Sequence, residues 1–275
     1  MVPDRVGRTM NRLAESLAAR LPGALEAIYL YGSTALGAYV EGSSDIDFIA
    51  VVRRAPARSD MQAIAEAHGE IERELAGTDL MGAYITRNDL GKQPPELSGF
   101  LTYFNKQLHD DGTGADLNPV TWWVLQKHGI RVYGDDVPFA YEVPEDKLAD
   151  YVIDNMNTYW AGWIDRLAQH ESKQPAELDT QAQRLDQAVE WCVLGMLRQL
   201  YTVSECGVTG KIGAGTYGLT VLPERWHPLI REAMAIKRRR AEREYGSQQA
   251  RLRDLVELLR AIRTEGNRIY HTRRR

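Results

Sequence analysis

The chain has 275 residues, more than one small core holds, so one large domain or two modest ones are expected and two fit better. With 44% hydrophobic and 26% charged residues, the composition is that of a folded globular protein and excludes a disordered or collagen-like chain. The net charge of −4 hides an asymmetry: residues 1–230 carry 20 basic against 32 acidic side chains, hence −12, whereas residues 231–275 carry 14 against 6, hence +8.

No stretch approaches the roughly 18 uninterrupted apolar residues of a membrane span, and residues 1–10 lack the apolar centre of a signal peptide. A cytoplasmic protein without membrane contact is expected. Cys192 and Cys206, fourteen positions apart on one helical stretch, support neither a disulfide framework nor a zinc site and read as packing residues.

Val6, Met10, Leu13, Leu17 and Leu21 recur at helical spacing and predict a helix over 4–21, ended by Pro22-Gly23. A short apolar strand, Leu25–Tyr31, breaks at Gly32-Ser33, and a second follows at Ile46–Val52. A helix at 59–76, with Ile64, Ala67, Ile71 and Leu75 on one face, leads to a third strand at Leu80–Thr86. Residues 88–118 predict a loop-rich excursion with one short helix near Gly99–Leu108, before a helix at Pro119–His128 and a strand at Ile130–Tyr133. From Pro144 onward the patterns are helical, at about 145–170, 178–204, 214–222, 224–245 and 247–271. The breaks fall at Lys173-Gln174-Pro175, at Gly207–Gly213 and at Pro223. The expected fold is therefore α+β: a domain at 1–143 with a small mixed sheet and flanking helices, then an all-α bundle at 144–275.

The basic end would suit phosphates, but its arginines alternate with Leu252, Leu255, Val256, Leu259 and Ile262 at helical spacing. They read as the solvated face of an amphipathic helix, so nucleic acid is not an expected partner. The runs Lys237–Arg240 and Arg273–Arg275 are least explained by that reading.

Chemistry concentrates in Tyr29-Leu30-Tyr31-Gly32-Ser33 and Ser44-Asp45-Ile46-Asp47-Phe48-Ile49. Strand alternation sends Asp45 and Asp47 to one face, where two carboxylates repel each other unless a cation such as Mg²⁺ sits between them. A strand that stops at Gly32-Ser33 and opens a helix exposes N–H groups and a hydroxyl able to hold a triphosphate beside that metal.

Gly32-Ser33, a spacer of eleven residues and Asp45-Ile46-Asp47 resemble the signature of the nucleotidyltransferase superfamily that includes DNA polymerase β and the antibiotic nucleotidyltransferases. The resemblance implies that both Asp hold Mg²⁺ and that the Gly-Ser turn holds ATP. Downstream, Val193-Leu194, Arg198 and Tyr201, then Val208-Thr209-Gly210-Lys211-Ile212, then Leu222-Pro223, Pro228-Leu229-Ile230 and Ala233 resemble the C-terminal domain of aminoglycoside 3″-adenylyltransferases, which inactivate streptomycin and spectinomycin. His128-Gly129-Ile130 and Val132-Tyr133-Gly134 resemble the end of their first domain. The expectation is transfer of AMP from ATP to a hydroxyl of a cationic aminoglycoside or aminocyclitol, by a monomer with its substrates in a cleft between the domains. Lys211 and Arg198 would contact the triphosphate.

In that family a Glu on the third strand is the catalytic base, and here Met81 falls at that position. Asp79, two residues earlier on the same face, and Glu190 on helix 178–204 are the replacements considered, with Asp186 one turn before Glu190 adding negative charge for a cationic substrate. A different acceptor, such as a lincosamide, another small molecule or a protein, is an alternative. So is a nucleotide-binding regulator that has lost its base. Trp122, Trp123, Trp160, Trp163 and Trp191 suit a ring-binding cleft or a core, and His109-Asp110-Asp111 suits a polar loop.

Overall fold

The computed structural model describes residues 2–171, 178 and 180–274, and the chain divides into two compact units, Met1–Val143 and Pro144–Arg275. The expected break at Lys173-Gln174-Pro175, and Arg275, lie outside the described residues.

The first unit runs α1 (Asp4–Arg20), β1 (Leu25–Leu30), α2 (Gly32–Ala35), β2 (Ile46–Val52), α3 (Arg58–Glu74), β3 (Leu80–Thr86), β4 (Leu101–Phe104), β5 (Gln107–His109), α4 (Pro119–His128) and β6 (Ile130–Gly134). The strands form one mixed sheet in the order β5-β4-β3-β2-β1-β6. Only the β2–β3 pair is parallel, as its helical crossover α3 requires. Alternation along the strands puts Ile28, Leu30, Phe48 and Ala50 in one core with Met10, Leu13 and Leu17 of α1 and Ile64, Ala67 and Ile71 of α3. The intervening Tyr29, Ile49, Val51, Ala83 and Ile85 are buried as well. Apolar side chains on both faces are what made β1 and β2 read as near-continuous hydrophobic runs.

The helix expected near Gly99–Leu108 is instead a hairpin. Phe104 pairs with Gln107 across a two-residue turn in which Asn105 and Lys106 have φ of 50° and 61°, the left-handed pair of a type I′ turn. Leu101 and Tyr103 supply its buried face.

In the second unit, α5 (Glu145–Asn157) and α6 (Tyr159–Ala168) replace the single helix expected at 145–170. The break is at Thr158, whose ψ of −77° departs from helical geometry while its N–H and Oγ1 both donate to the Asp154 carbonyl. The central helix is α7 (Ala182–Glu205), which α5, α8 (Lys211–Val221), α9 (His227–Lys237) and α10 (Gln248–Arg273) all contact. Helix α8 starts three residues earlier than expected, capped by the extended backbone of Gly210. The helix expected to continue to residue 245 stops at Lys237, followed by Arg239 with φ of 58°. A buried ion cluster holds this stretch: Arg251, 2% exposed, pairs with Glu232 and with Asp186 at 2.7 Å, and Arg243 pairs with Asp186.

Candidate active site

The site of the first unit is built where β1 ends. After Leu30 the chain turns at Gly32, with φ of 58°, into the single turn of α2. The Tyr31 N–H donates to the Asp47 carbonyl at 3.1 Å, which ties this turn to β2. A Cβ on Gly32 would fall 1.9 Å from Asp47 Oδ2. Glycine therefore serves twice here, by reaching a left-handed backbone and by leaving room for a carboxylate against it. Ser33 Oγ and Thr34 Oγ1 are buried without hydrogen-bond partners, an unusual state for buried hydroxyls and one that a ligand or water relieves.

Asp45 immediately precedes β2 and Asp47 is its second residue, both half-buried. The Ser44 hydroxyl fixes their approach by accepting the Val40 N–H at 3.1 Å. Across the parallel ladder Asp47 stands beside Met81, and the Ile46 N–H donates to the Asp79 carbonyl, so Asp79 flanks Asp45. Desolvation, then the charge of Asp45, raises the Asp79 carboxyl above the ordinary range. Buried Tyr31 is raised much further, by desolvation and then by the charges of Asp47, Asp116 and Asp45. Its phenol stays protonated near neutral pH. Two alternating carboxylates beside a turn cleared by Gly32 are a hard-oxygen donor set that fits Mg²⁺ completed by water or phosphate oxygens. Among the described residues there is no group of three His, Cys, Asp or Glu able to hold a metal ion.

Glu190, Lys211 and Arg198 belong to the second unit. Glu190 accepts from Lys211 Nζ at 2.8 Å, and that ammonium also lies 4.8 Å from the Trp191 ring centroid. The structure thus joins Glu190 to Lys211, each neutralising the other. Arg198 lies further along α7, with its Nε buried and unpartnered. Asp186 is not an acidic companion of Glu190 for a cation, because Arg243 and Arg251 occupy it. Burial opposes its charge, but the two guanidinium groups outweigh that and hold its carboxyl below the usual range.

The tryptophans divide. Trp122 is core, its Nε1 donating to the Lys92 carbonyl, and Trp160 is packed so closely on Gly195 that a Cβ there would meet its ring at 2.3 Å. Trp191 is 43% exposed and Trp163 lies under Arg166. His109 ends β5 and its Nε2 bonds to the Phe104 carbonyl, while Asp111 accepts the Thr113 N–H in the loop that follows. Burial pushes the Cys192 thiol up to about 12, whereas Cys206 is the left-handed residue ending α7, its sulfur accepting from Arg273. The sequence reading named Tyr31 beside Gly32 without giving it a role, and nothing in the local pattern joins Asp116 to it.

Two family models match the sequence: a nucleotidyltransferase domain over residues 10–99, and the C-terminal domain of aminoglycoside adenylyltransferases over residues 173–261. No curated protein matches. Among solved structures, the chain is similar to the spectinomycin adenyltransferase AAD(9) from Enterococcus faecialis, whose crystal structure holds ATP and spectinomycin. The identity is 14% and the TM-score 0.61, over 92% of this chain and 98% of that one, a likeness of fold.

Proposed function

The chain belongs to the aminoglycoside adenylyltransferase family, and from that premise we propose that it moves AMP from ATP to a hydroxyl of an aminoglycoside or aminocyclitol of the streptomycin or spectinomycin type, in a Mg²⁺-dependent reaction. The observation that carries this reading is the Asp45–Asp47 pair beside the Gly32 turn, with Asp47 Oδ2 in the space a side chain would fill. Asp45 and Asp47 would hold the magnesium, which when bound supplies charge neutralisation at the triphosphate. Gly32 and Ser33 orient the nucleotide, and the unpartnered Ser33 hydroxyl offers it a hydrogen bond. Lys211 and Arg198 supply positive charge for the phosphates, Lys211 by exchanging Glu190 for a phosphate oxygen.

The test is incubation with ATP and Mg²⁺ against streptomycin, spectinomycin and a lincosamide, read by mass spectrometry as an AMP-sized gain. Asp47→Asn should lower transfer on the order of 10³-fold, and a variant as active as the parent would defeat the assignment. Met81 beside Asp47 favours a second reading, a changed acceptor or a nucleotide-binding protein without transfer. Stabilisation by ATP and Mg²⁺ with no acceptor modified would select binding alone.

A further inference from the structure

Glu190 and Lys211 meet where α7 and α8 pack together in the second unit. The Lys211 ammonium lies 2.8 Å from Glu190 Oε1 and 4.8 Å from the Trp191 ring centroid, so a carboxylate and an aromatic face hold one cation between them. That combination is how proteins recognise a cationic ligand. The two side chains of the ion pair keep 19% and 17% of their surface, sheltered enough to limit screening and open enough for the cation to be exchanged.

Lys211 is not held there by its own helix. It is the first residue of α8, whose N-terminus disfavours positive charge, and Gly210 before it brings no side-chain cap. The ammonium therefore depends on Glu190 and Trp191 for its place.

The rings beside the pair are firmly supported. Buried Trp160 of α6 packs on Gly195 of α7 with no room for a Cβ between them. Trp191 and Tyr159, both exposed, rest on Trp160 with ring centroids 6.1 and 5.1 Å from its own. Two exposed rings thus share one buried support, next to a carboxylate that already holds a cation. A ligand that suits this surface brings a saturated ring to the aromatic side chains and an ammonium or guanidinium group to Glu190.

We propose that Glu190 and Trp191 form the seat for a cationic group of the acceptor and that Lys211 is its resident occupant, displaced when the acceptor binds; the inference rests on the adenylyl-transfer reading. Two cations cannot share one carboxylate and one ring face without repulsion, so the acceptor and Lys211 exclude each other. Lys211 turned toward a phosphate empties the seat. Lys211 left in place lowers the affinity for a free acceptor, as any competing state of a binding site does.

The experiment uses whichever acceptor gains mass. It measures acceptor binding by calorimetry without nucleotide, and the KM for acceptor and for ATP, in the parent, Glu190→Gln, Trp191→Leu, Trp191→Phe, Lys211→Met and Lys211→Met combined with Glu190→Gln. Lys211→Met should bind the acceptor about 10-fold more tightly than the parent, and the double variant should lose most of that gain. Glu190→Gln and Trp191→Leu should each raise the acceptor KM about 10-fold without raising the KM for ATP, and Trp191→Phe, which keeps a ring face, should recover part of the loss. Trp191→Phe and Lys211→Met carry the test should Glu190→Gln fail to fold. A Lys211→Met protein that binds no more tightly than the parent overturns the proposal, as does a gain that survives in the double variant or an acceptor KM unchanged by Glu190→Gln and Trp191→Leu. If the parent modifies no acceptor, or Asp47→Asn transfers as the parent does, the adenylyl-transfer reading itself falls and takes this inference with it.

Discussion

A methyl group on Gly32 would meet the Asp47 carboxylate and force a side chain into a left-handed backbone. Gly32→Ala should therefore destabilise the fold by about 1–3 kcal/mol in urea titration and weaken ATP binding more than a distant change of equal stability cost. His68 offers a second measurement. It lies on α3, 1% exposed, with Nε2 2.7 Å from the Tyr84 hydroxyl and its ring stacked on Tyr103. Burial lowers its pKa from 6.5 to about 3, so it is neutral when folded and takes up a proton on unfolding. That contribution is complete above the unfolded value and is lost as pH falls below it. Stability should drop by about 2 kcal/mol between pH 6.5 and 4.5, and His68→Gln should flatten the slope. Some of these residues were legible in the sequence and others were not. Gly-Ser and Asp-x-Asp announce a turn and a strand through local chemistry, and both form where they were read. Asp116 lies 84 residues along the chain from Gly32, and no local spacing joins the two.

Elements failed to be legible where their signal was shorter than a period. Strands β4 and β5 have four and three residues, too few for alternation to stand out, and Asn105-Lys106 lacks the glycine that usually marks a two-residue hairpin. Thr158 breaks a run whose apolar spacing continues on both sides, so α5 and α6 read as one helix. Strands β1 to β3, α1 and α4 were legible because their apolar runs were long and bounded by Pro, Gly or Asn. In the second unit the sequence reading set Asp186 beside Glu190 as negative charge for a cationic substrate, whereas it belongs to the buried cluster with Arg251 and Glu232. Removing one member leaves an uncompensated buried charge, so Arg251→Met should destabilise by about 3–5 kcal/mol. Arg251→Met combined with Glu232→Leu should recover much of that loss in the same urea titration, because the apolar pair leaves no stranded carboxylate in that core.

Over the whole molecule, the basic helix α10 contributes positive charge, and the larger part of the acidic surplus ahead of residue 231 lies in residues 1–143, with 20 acidic against 13 basic side chains. A cationic acceptor approaching that unit should feel the field. Its KM should rise several-fold between about 0.05 and 0.3 M salt, without a matching rise for ATP, and a flat dependence would remove steering from the account. The sheet order has a separate consequence, for the birth of the protein. Strand β1 is flanked by β2, made soon after it, and by β6, made about a hundred residues later. While the chain leaves the ribosome, one edge of β1 stands open until Ile130–Gly134 emerges to cover it. The first unit can thus finish folding only when its last strand has been synthesised, and a ribosome stalled before residue 130 would hold a five-stranded sheet whose bare edge is β1.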